Sequence, residues 1–352
     1  MYAGGREIWI DIAKSIGIFL VVLAHALPKD NYFWRLINLF HMPLFFIISG
    51  YLYQNKGSIL QFVKHKIITL WIPYITCSGI TVLVTILLHL LRLTQYQNGF
   101  PIKYIVKIIF MLDMGPLLGA SWFIQVLFYA AVAYNIVERF VDIIINKNER
   151  QKTLILNTLS VLFLVIGLNT SLIFRGSVIL NSIAYFNVGV IFRKKQRVIF
   201  KFDRKLLLPI FIIVALIAKN NSASYVTNTY SNKLLFLMAS ILGSFGILLL
   251  SHELEKEKSK LVEQAQFIGR NTMAILFWQF VSFKLVILLQ IVYYQLPVAY
   301  ISTFPVLYEY DGVVWIFLYV MAGIYVSIVL NYPIKILDKT VLQFINKWRI
   351  RA

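Results

Sequence analysis

No Asp, Glu, Lys or Arg occurs anywhere in residues 67–91. The run is longer than the ~20 apolar residues with which an α-helix crosses a bilayer. In hydrocarbon every backbone N–H and C=O has to be satisfied inside the chain, so a run of this kind can only be helical. Nine further segments read the same way, and the ten candidate spans are 8–27, 36–54, 67–91, 117–138, 153–169, 177–192, 206–218, 234–251, 271–295 and 312–334. The segment 206–218 is the shortest of them. Only 14% of the 352 residues are charged and 59% are hydrophobic, whereas a soluble domain carries ~25% charged residues. The expected fold is therefore all-α: a polytopic membrane bundle of about ten transmembrane helices, read as a single integral-membrane domain over 1–352.

The formal net charge of +19 invites a nucleic-acid partner, but the placement of the charge argues against one. Of the 34 Lys and Arg residues, 24 fall on one side of the alternating spans and 8 on the other; Lys14 and Lys284 lie inside spans. By the positive-inside rule this asymmetry puts both termini in the cytoplasm. The basic run Arg193, Lys194, Lys195 and Arg197 then serves topology and membrane-lipid headgroups. No small-residue cleavage site follows Leu27, so the first apolar run is expected to stay as a membrane helix. A lone cysteine, Cys77, excludes an internal disulfide framework. His65, His89 and His252 are scattered, and no metal site is expected from them. Residues 103–112 alternate Lys with apolar positions at helical spacing, as an interfacial helix would. Residues 251–270 carry charges of both signs and read as a solvated helix. There is no Walker loop, glycine fingerprint or HExxH, so the chemistry has to come from side chains within or between spans.

Ionisable residues inside spans are costly and mark function by default. Lys14 and His25 are eleven positions apart, which returns a helix to within ~20° of the same face. Asp11 lies one turn below Lys14 near that stripe. With the amino terminus inside, Asp11 and Lys14 occupy the inner half of the first span and His25 its outer end. His41 lies near the outer end of the second span. An imidazole titrates near neutral pH and suits general-base work. Lys14 suits an anionic group reaching up from the cytoplasm. The structural alternative is that Asp11 and Lys14 only neutralise one another, with His25 an interfacial residue.

The stretch Arg6, Ile10, Asp11, the pair Lys14-x10-His25 and the string FHMPLFFIISGYL over 40–52 together resemble the membrane-bound acyltransferase 3 family. Lys64-His65-Lys66 through Ile72-Pro73-Tyr74 resembles that family's third helix, and Ser121-Trp122-Phe123 its tryptophan motif. Residues 268–276 with Phe283-Lys284-Leu285-Val286 resemble the late helix of its fucose-4-O-acetylase-like branch. The resemblance implies O-acylation of a cell-surface or capsular polysaccharide, or of its lipid-linked precursor, at the plasma membrane. It also implies cytoplasmic acetyl-CoA as the acyl donor. His25 takes the catalytic position with Lys14 and Asp11. Lys14, Lys64, Lys66 and Trp122 are candidates to hold the donor. His41, Ser49, Gln279, Lys284, Glu309 and Asp311 are candidate acceptor contacts. Two departures stand out. Relatives more often carry Arg at the Lys14 position, and Lys offers a point charge rather than a planar fork. Gln279 replaces a common His, and an amide orients a substrate but takes up no proton. Ser49 and Gly50 also suit close helix packing. A transporter or flippase would account equally for polar residues inside spans, and a polymerase would be expected to carry a large outer loop. Frequent Ile, Lys and Asn fit an AT-rich bacterial source.

Overall fold

The computed structural model describes residues 7–29, 31–90, 108–110, 116–145, 148–310 and 312–334. Among them nine helices are long and apolar enough to cross a membrane, and strand is confined to one two-residue hairpin. The chain is a multi-pass helical membrane protein. Large apolar side chains such as Ile143, Leu154, Leu208 and Val313 stand exposed, as surfaces that meet lipid tails do. The described residues divide into two compact units.

The first unit contains residues 7–67 and 123–270. Helix α1 (Ile8–Ala26) begins where the Trp9 N–H donates to Glu255 Oε2 at 3.1 Å. The expected second span is broken into α2 (Tyr32–Asn38) and α3 (His41–Tyr51). Phe40, at φ −140° and ψ −18°, leaves the helical region between them. Pro43 stands in the first turn of α3, where a missing N–H breaks no intrahelical bond. Helix α4 (Ile59–Lys66) opens on a capping box between Ser58 and Gln61. The third expected span, 67–91, follows as α5 (Ile72–Leu90), which belongs to the second unit, after a π-helical turn at Ile67–Trp71. Then come α6 (Trp122–Ile145), α7 (Glu149–Asn169) and α8 (Gly176–Ile199).

Helices α3 and α8 run parallel with their backbones close together. A Cβ on Gly189 would lie 2.0 Å from the Ile47 carbonyl oxygen, and one on Gly50 would lie 1.9 Å from that of Phe186. Only glycine permits this approach, the small-residue packing that joins helices in bilayers. The expected span 206–218 is α9 (Leu207–Asn220), a helix of 14 residues. At ~1.5 Å per residue it is too short to cross alone. It is held by Tyr32 Oη and Arg35, which donate to the Ala215 and Lys219 carbonyls. A hairpin of β1 (Ala223–Ser224) and β2 (Thr229–Tyr230), paired antiparallel, leads into α10 (Lys233–Leu254). The expected solvated helix at 251–270 is instead split. Its first residues finish α10, and the rest form α11 (Lys260–Arg270), which packs against α1. There a Cβ on Gly269 would meet the Asp11 carbonyl oxygen at 1.9 Å.

The second unit comprises the described residues of 68–122 and 271–334. Its centre is α12 (Thr272–Tyr294). A 3₁₀ stretch at Pro116–Ser121 lies against α12, with Gly119 beside the Phe280 ring. Helices α13 (Val313–Met321) and α14 (Ser327–Leu330) are joined by a π-helical turn at Ala322–Val326. Ser282 and Ser327 meet at 3.0 Å between α12 and α14, both fully buried. The expected interfacial helix at 103–112 lies mostly outside the described residues.

Candidate active site

In the first unit, α1 runs toward the turn that leads to α2, and α3 runs back. This places His25, near the end of α1, and His41, at the start of α3, at one end of the bundle. The two rings are within electrostatic reach of one another. His41 is buried. Its Nδ1 lies 2.8 Å from the carbonyl oxygen of Ile37, one turn back across the α2–α3 break. A carbonyl only accepts, so Nδ1 carries the proton, and in the neutral form of the ring Nε2 is the acceptor. His25 is only partly buried. Ser49, two turns along α3, donates its hydroxyl to the Phe45 carbonyl at 2.7 Å. That bond lies within the helix and orients no base toward Ser49, so the geometry offers no activated serine nucleophile.

Toward the opposite end, Asp11 is almost wholly buried and its Oδ2 lies 3.4 Å from Nε of the half-exposed Arg270. Sequence spacing suggested Lys14 as the neighbour of Asp11. It did not suggest Arg270, which is 259 positions away. The glycine before Arg270 was the available signal, since it lets α11 approach α1 at Asp11. Lys14 is partly exposed on the same helix.

Of the basic residues before the third span, Lys66 and His65 line a cavity of about 340 Å³ together with Lys56, Tyr53 and Phe62. Lys66 Nζ stands 5.4 Å from the centre of the Phe62 ring, within range of a cation–π contact. Lys64 is exposed and is not one of the residues lining that cavity.

The second unit holds the other expected residues. Trp122 is buried at the end of the 3₁₀ stretch, after Ser121, whose hydroxyl donates to the Leu118 carbonyl at 2.7 Å. Gln279 is fully buried on α12, its Nε2 3.3 Å from the Leu276 carbonyl oxygen. Lys284 proves to be a clamp on a loop. Its Nζ donates to the Thr303 carbonyl at 2.6 Å. Gln290 donates to the Tyr310 carbonyl at 3.1 Å, and the Leu307 N–H donates to the Tyr319 hydroxyl. These three bonds hold the 303–310 loop onto α12 and α13. Glu309 is exposed on this loop, and burial pushes the Tyr308 phenol beside it up to about 12. Asp311 lies outside the described residues. Among the described residues no group of three or more His, Cys, Asp or Glu could hold a metal ion.

The family described as "Acyltransferase domain" matches residues 7–332 and so runs through both units. Two curated relatives are both named Nodulation protein NolL. The one from Mesorhizobium japonicum is 30% identical over 152 residues, 38% of this chain and 37% of its own length. The one from Sinorhizobium fredii is 44% identical over 69 residues, 17% of this chain and 18% of its own. The chain thus spans less than two-fifths of the length of either relative. No solved structure matches. With the family match covering nearly every described helix, the chain belongs to the acyltransferase domain family.

Proposed function

We propose that this protein is a membrane-embedded O-acyltransferase. It moves an acetyl group from cytoplasmic acetyl-CoA to a hydroxyl of an extracytoplasmic polysaccharide or of its lipid-linked precursor. The observation that carries the reading is the placement of His25 and His41 at one end of the α1–α3 pair, in a chain of the acyltransferase domain family. His25, the more accessible ring, takes the proton of the acceptor hydroxyl. The alkoxide oxygen forms a bond to the thioester carbonyl carbon, and the carbon–sulfur bond breaks. The imidazolium then returns its proton to the departing CoA thiolate. His41 Nε2, its ring fixed through the Ile37 carbonyl, accepts a hydrogen bond from the acceptor sugar. Lys14 and the Lys66 cavity supply cations for the phosphates of the donor. Gln279 orients a substrate and passes no proton.

The test is a membrane preparation incubated with labelled acetyl-CoA and isolated surface glycan, then scored for alkali-labile acetyl on the sugar. Acetylation by the native protein and its loss in His25→Ala, with the variant still in the membrane, supports the proposal. Translocated but unmodified glycan would replace it with the carrier reading. Undiminished acetylation by His25→Ala would remove the role given to that ring.

A further inference from the structure

The break between α2 and α3 falls at Leu39 and Phe40, residue types that continue a helix unless packing forbids it. What holds the chain open there comes from α10. A Cβ on Gly243 would lie 2.5 Å from Cγ of Phe40 and 2.7 Å from its Cβ, far inside the ~3.5–4.0 Å at which carbon atoms pack. Those atoms are the root of the Phe40 side chain, so turning the ring to another rotamer would not clear them. Phe40 is buried and seats in the notch that the missing Cβ leaves. The next residue of α10, Ser244, is fully buried and donates its hydroxyl toward the Phe40 carbonyl at 3.4 Å. Two consecutive residues of α10 thus meet the side chain and the carbonyl of the one residue at the break.

The consequence reaches His41. In an unbroken helix the carbonyl of residue 37 receives the backbone N–H of residue 41. At the break the Ile37 carbonyl receives the Phe40 N–H at 3.2 Å and lies 2.8 Å from Nδ1 of the His41 ring. The extended φ of Phe40, −140°, is what lets that ring reach back one turn. A continuous helix would give this carbonyl to the backbone and leave the ring without it.

The seat is fixed because α10 is itself held. One turn before Gly243, Ser240 meets the Tyr185 hydroxyl of α8 at 2.7 Å, both side chains buried. Helix α8 is in turn joined to α3 through Gly50 and Gly189. Contacts therefore close from α3 to α8, from α8 to α10 and from α10 back to the start of α3. Gly246, one turn further along α10, is a different kind of position. A Cβ there would meet a methyl group of Ile210 at 3.0 Å and the ring edge of Phe211 at 3.2 Å, atoms of α9 side chains that can shift to make room.

We infer that Gly243 and Ser244 are positioning residues for His41: by seating Phe40 they hold the break that keeps the proton of the neutral ring on Nδ1 and leaves Nε2 to a ligand. That this serves acyl transfer rests on the reading above; the fixing of the tautomer does not. The experiment uses the full chain in phosphatidylcholine nanodiscs, with its histidines labelled with nitrogen-15, at about pH 9, where an ordinary imidazole is neutral. The His41 resonances are those that His41→Gln removes. In the native protein they should report one tautomer, protonated at Nδ1. Gly243→Ala should turn them into a mixture in which the Nε2-protonated form appears. Gly246→Ala adds the same methyl group to the same helix and should leave the native spectrum. Gly243→Ala should also lower kcat/KM for the glycan about tenfold and leave the KM for acetyl-CoA unchanged. In a His41→Gln background it should have no further effect, whereas a role independent of that ring would give additive losses. If Gly243→Ala does not fold, Phe40→Leu, which withdraws the ring from the notch without adding bulk, decides on the same spectrum and should give the same mixture. A single native tautomer in the folded variant, the same mixture in Gly246→Ala, or losses additive with His41→Gln would overturn the inference. The expected tautomer change in a protein that transfers no acetyl would leave the positioning role standing and remove the acyl-transfer reading.

Discussion

Polar side chains at the Tyr51 end of α3 close on one another. The Tyr51 hydroxyl donates to Glu7 at 2.6 Å and lies 2.7 Å from Gln196 Oε1. Just beyond the helix, the Tyr53 hydroxyl donates to Glu138 at 2.7 Å and accepts from Asn135 at 2.6 Å. Lys152 adds Nζ–O distances of 3.2 Å to Glu138 and 2.6 Å to Asp142. Arg193 donates to the Tyr53 carbonyl. About 15 Å away along the same helix, the His41 end is arranged differently. One ring nitrogen is fixed to a carbonyl, and the second remains to accept a proton or a hydrogen bond. One end of α3 uses polarity to lock helices together, where each buried group satisfies another. The other end uses it to orient one imidazole, at the end of the bundle that also holds a second. The contrast separates residues whose loss should unfold the protein from residues whose loss should only silence it.

The largest effect is expected at the imidazole end. His25→Ala should lower acetyl transfer by ~10²–10⁴-fold, the usual contribution of a positioned general base. Its thermal midpoint in detergent should match that of the native protein. A variant that unfolds instead would break the comparison, because it would make His25 another structural lock.

The next effect belongs to the Tyr51 end. Glu138→Ala leaves the buried Tyr53 hydroxyl without its acceptor and Lys152 without one of its two carboxylates. The cost should be about 2–3 kcal/mol, that of unsatisfied buried groups. It should be read as a lowered thermal midpoint, with transfer per folded molecule unchanged. A loss of transfer without a loss of stability would mean that this network also serves the chemistry.

A subtler effect returns to the first end. His41→Gln keeps an amide able to donate toward Ile37 but removes the titratable ring. Transfer should fall about tenfold, the equivalent of ~1.4 kcal/mol, and the pH–rate profile should lose whatever ionisation the ring contributes. A profile identical to the native one would confine His41 to shaping the α2–α3 break.

How much of this was legible in the sequence depends on the range of the interaction. The spans follow from hydropathy, because a charge-free run in hydrocarbon has one solution. The break at Leu39–Phe40 does not, since the run around it is apolar and carries no Gly or Pro at the break. The fixed tautomer of His41 depends on that break, so it was equally hidden. The Lys14–His25 stripe is a matter of helical spacing and was open to inspection. The Asp11–Arg270 contact joins residues far apart in the chain, and no local pattern encodes it. Lys284 stood out as a charge inside a span, but its partner is a backbone carbonyl at Thr303, and a carbonyl leaves no mark on residue identity. The segment that became α9 was the shortest of the expected spans, and its length reflects a helix held by α2 and α10 rather than by its own reach across the bilayer.

The smallest expected effect gives the finest resolution of the two ends. Lys152 is largely buried, with 13% of its side chain exposed, between Glu138 and Asp142. Lys152→Gln removes the cation but leaves Glu138 its hydrogen bond from Tyr53. The loss should be about 1 kcal/mol, the upper range for ion pairs that water still reaches. Measured in a cycle with Tyr53→Phe, the two losses should fall short of additivity or exceed it, because both side chains act on one carboxylate. Paired instead with His41→Gln, at the other end of α3, the stability losses should simply add. Coupling between Lys152 and His41 in thermal midpoint would show that the two ends are one network, and the division between locking and orienting would then have to be abandoned.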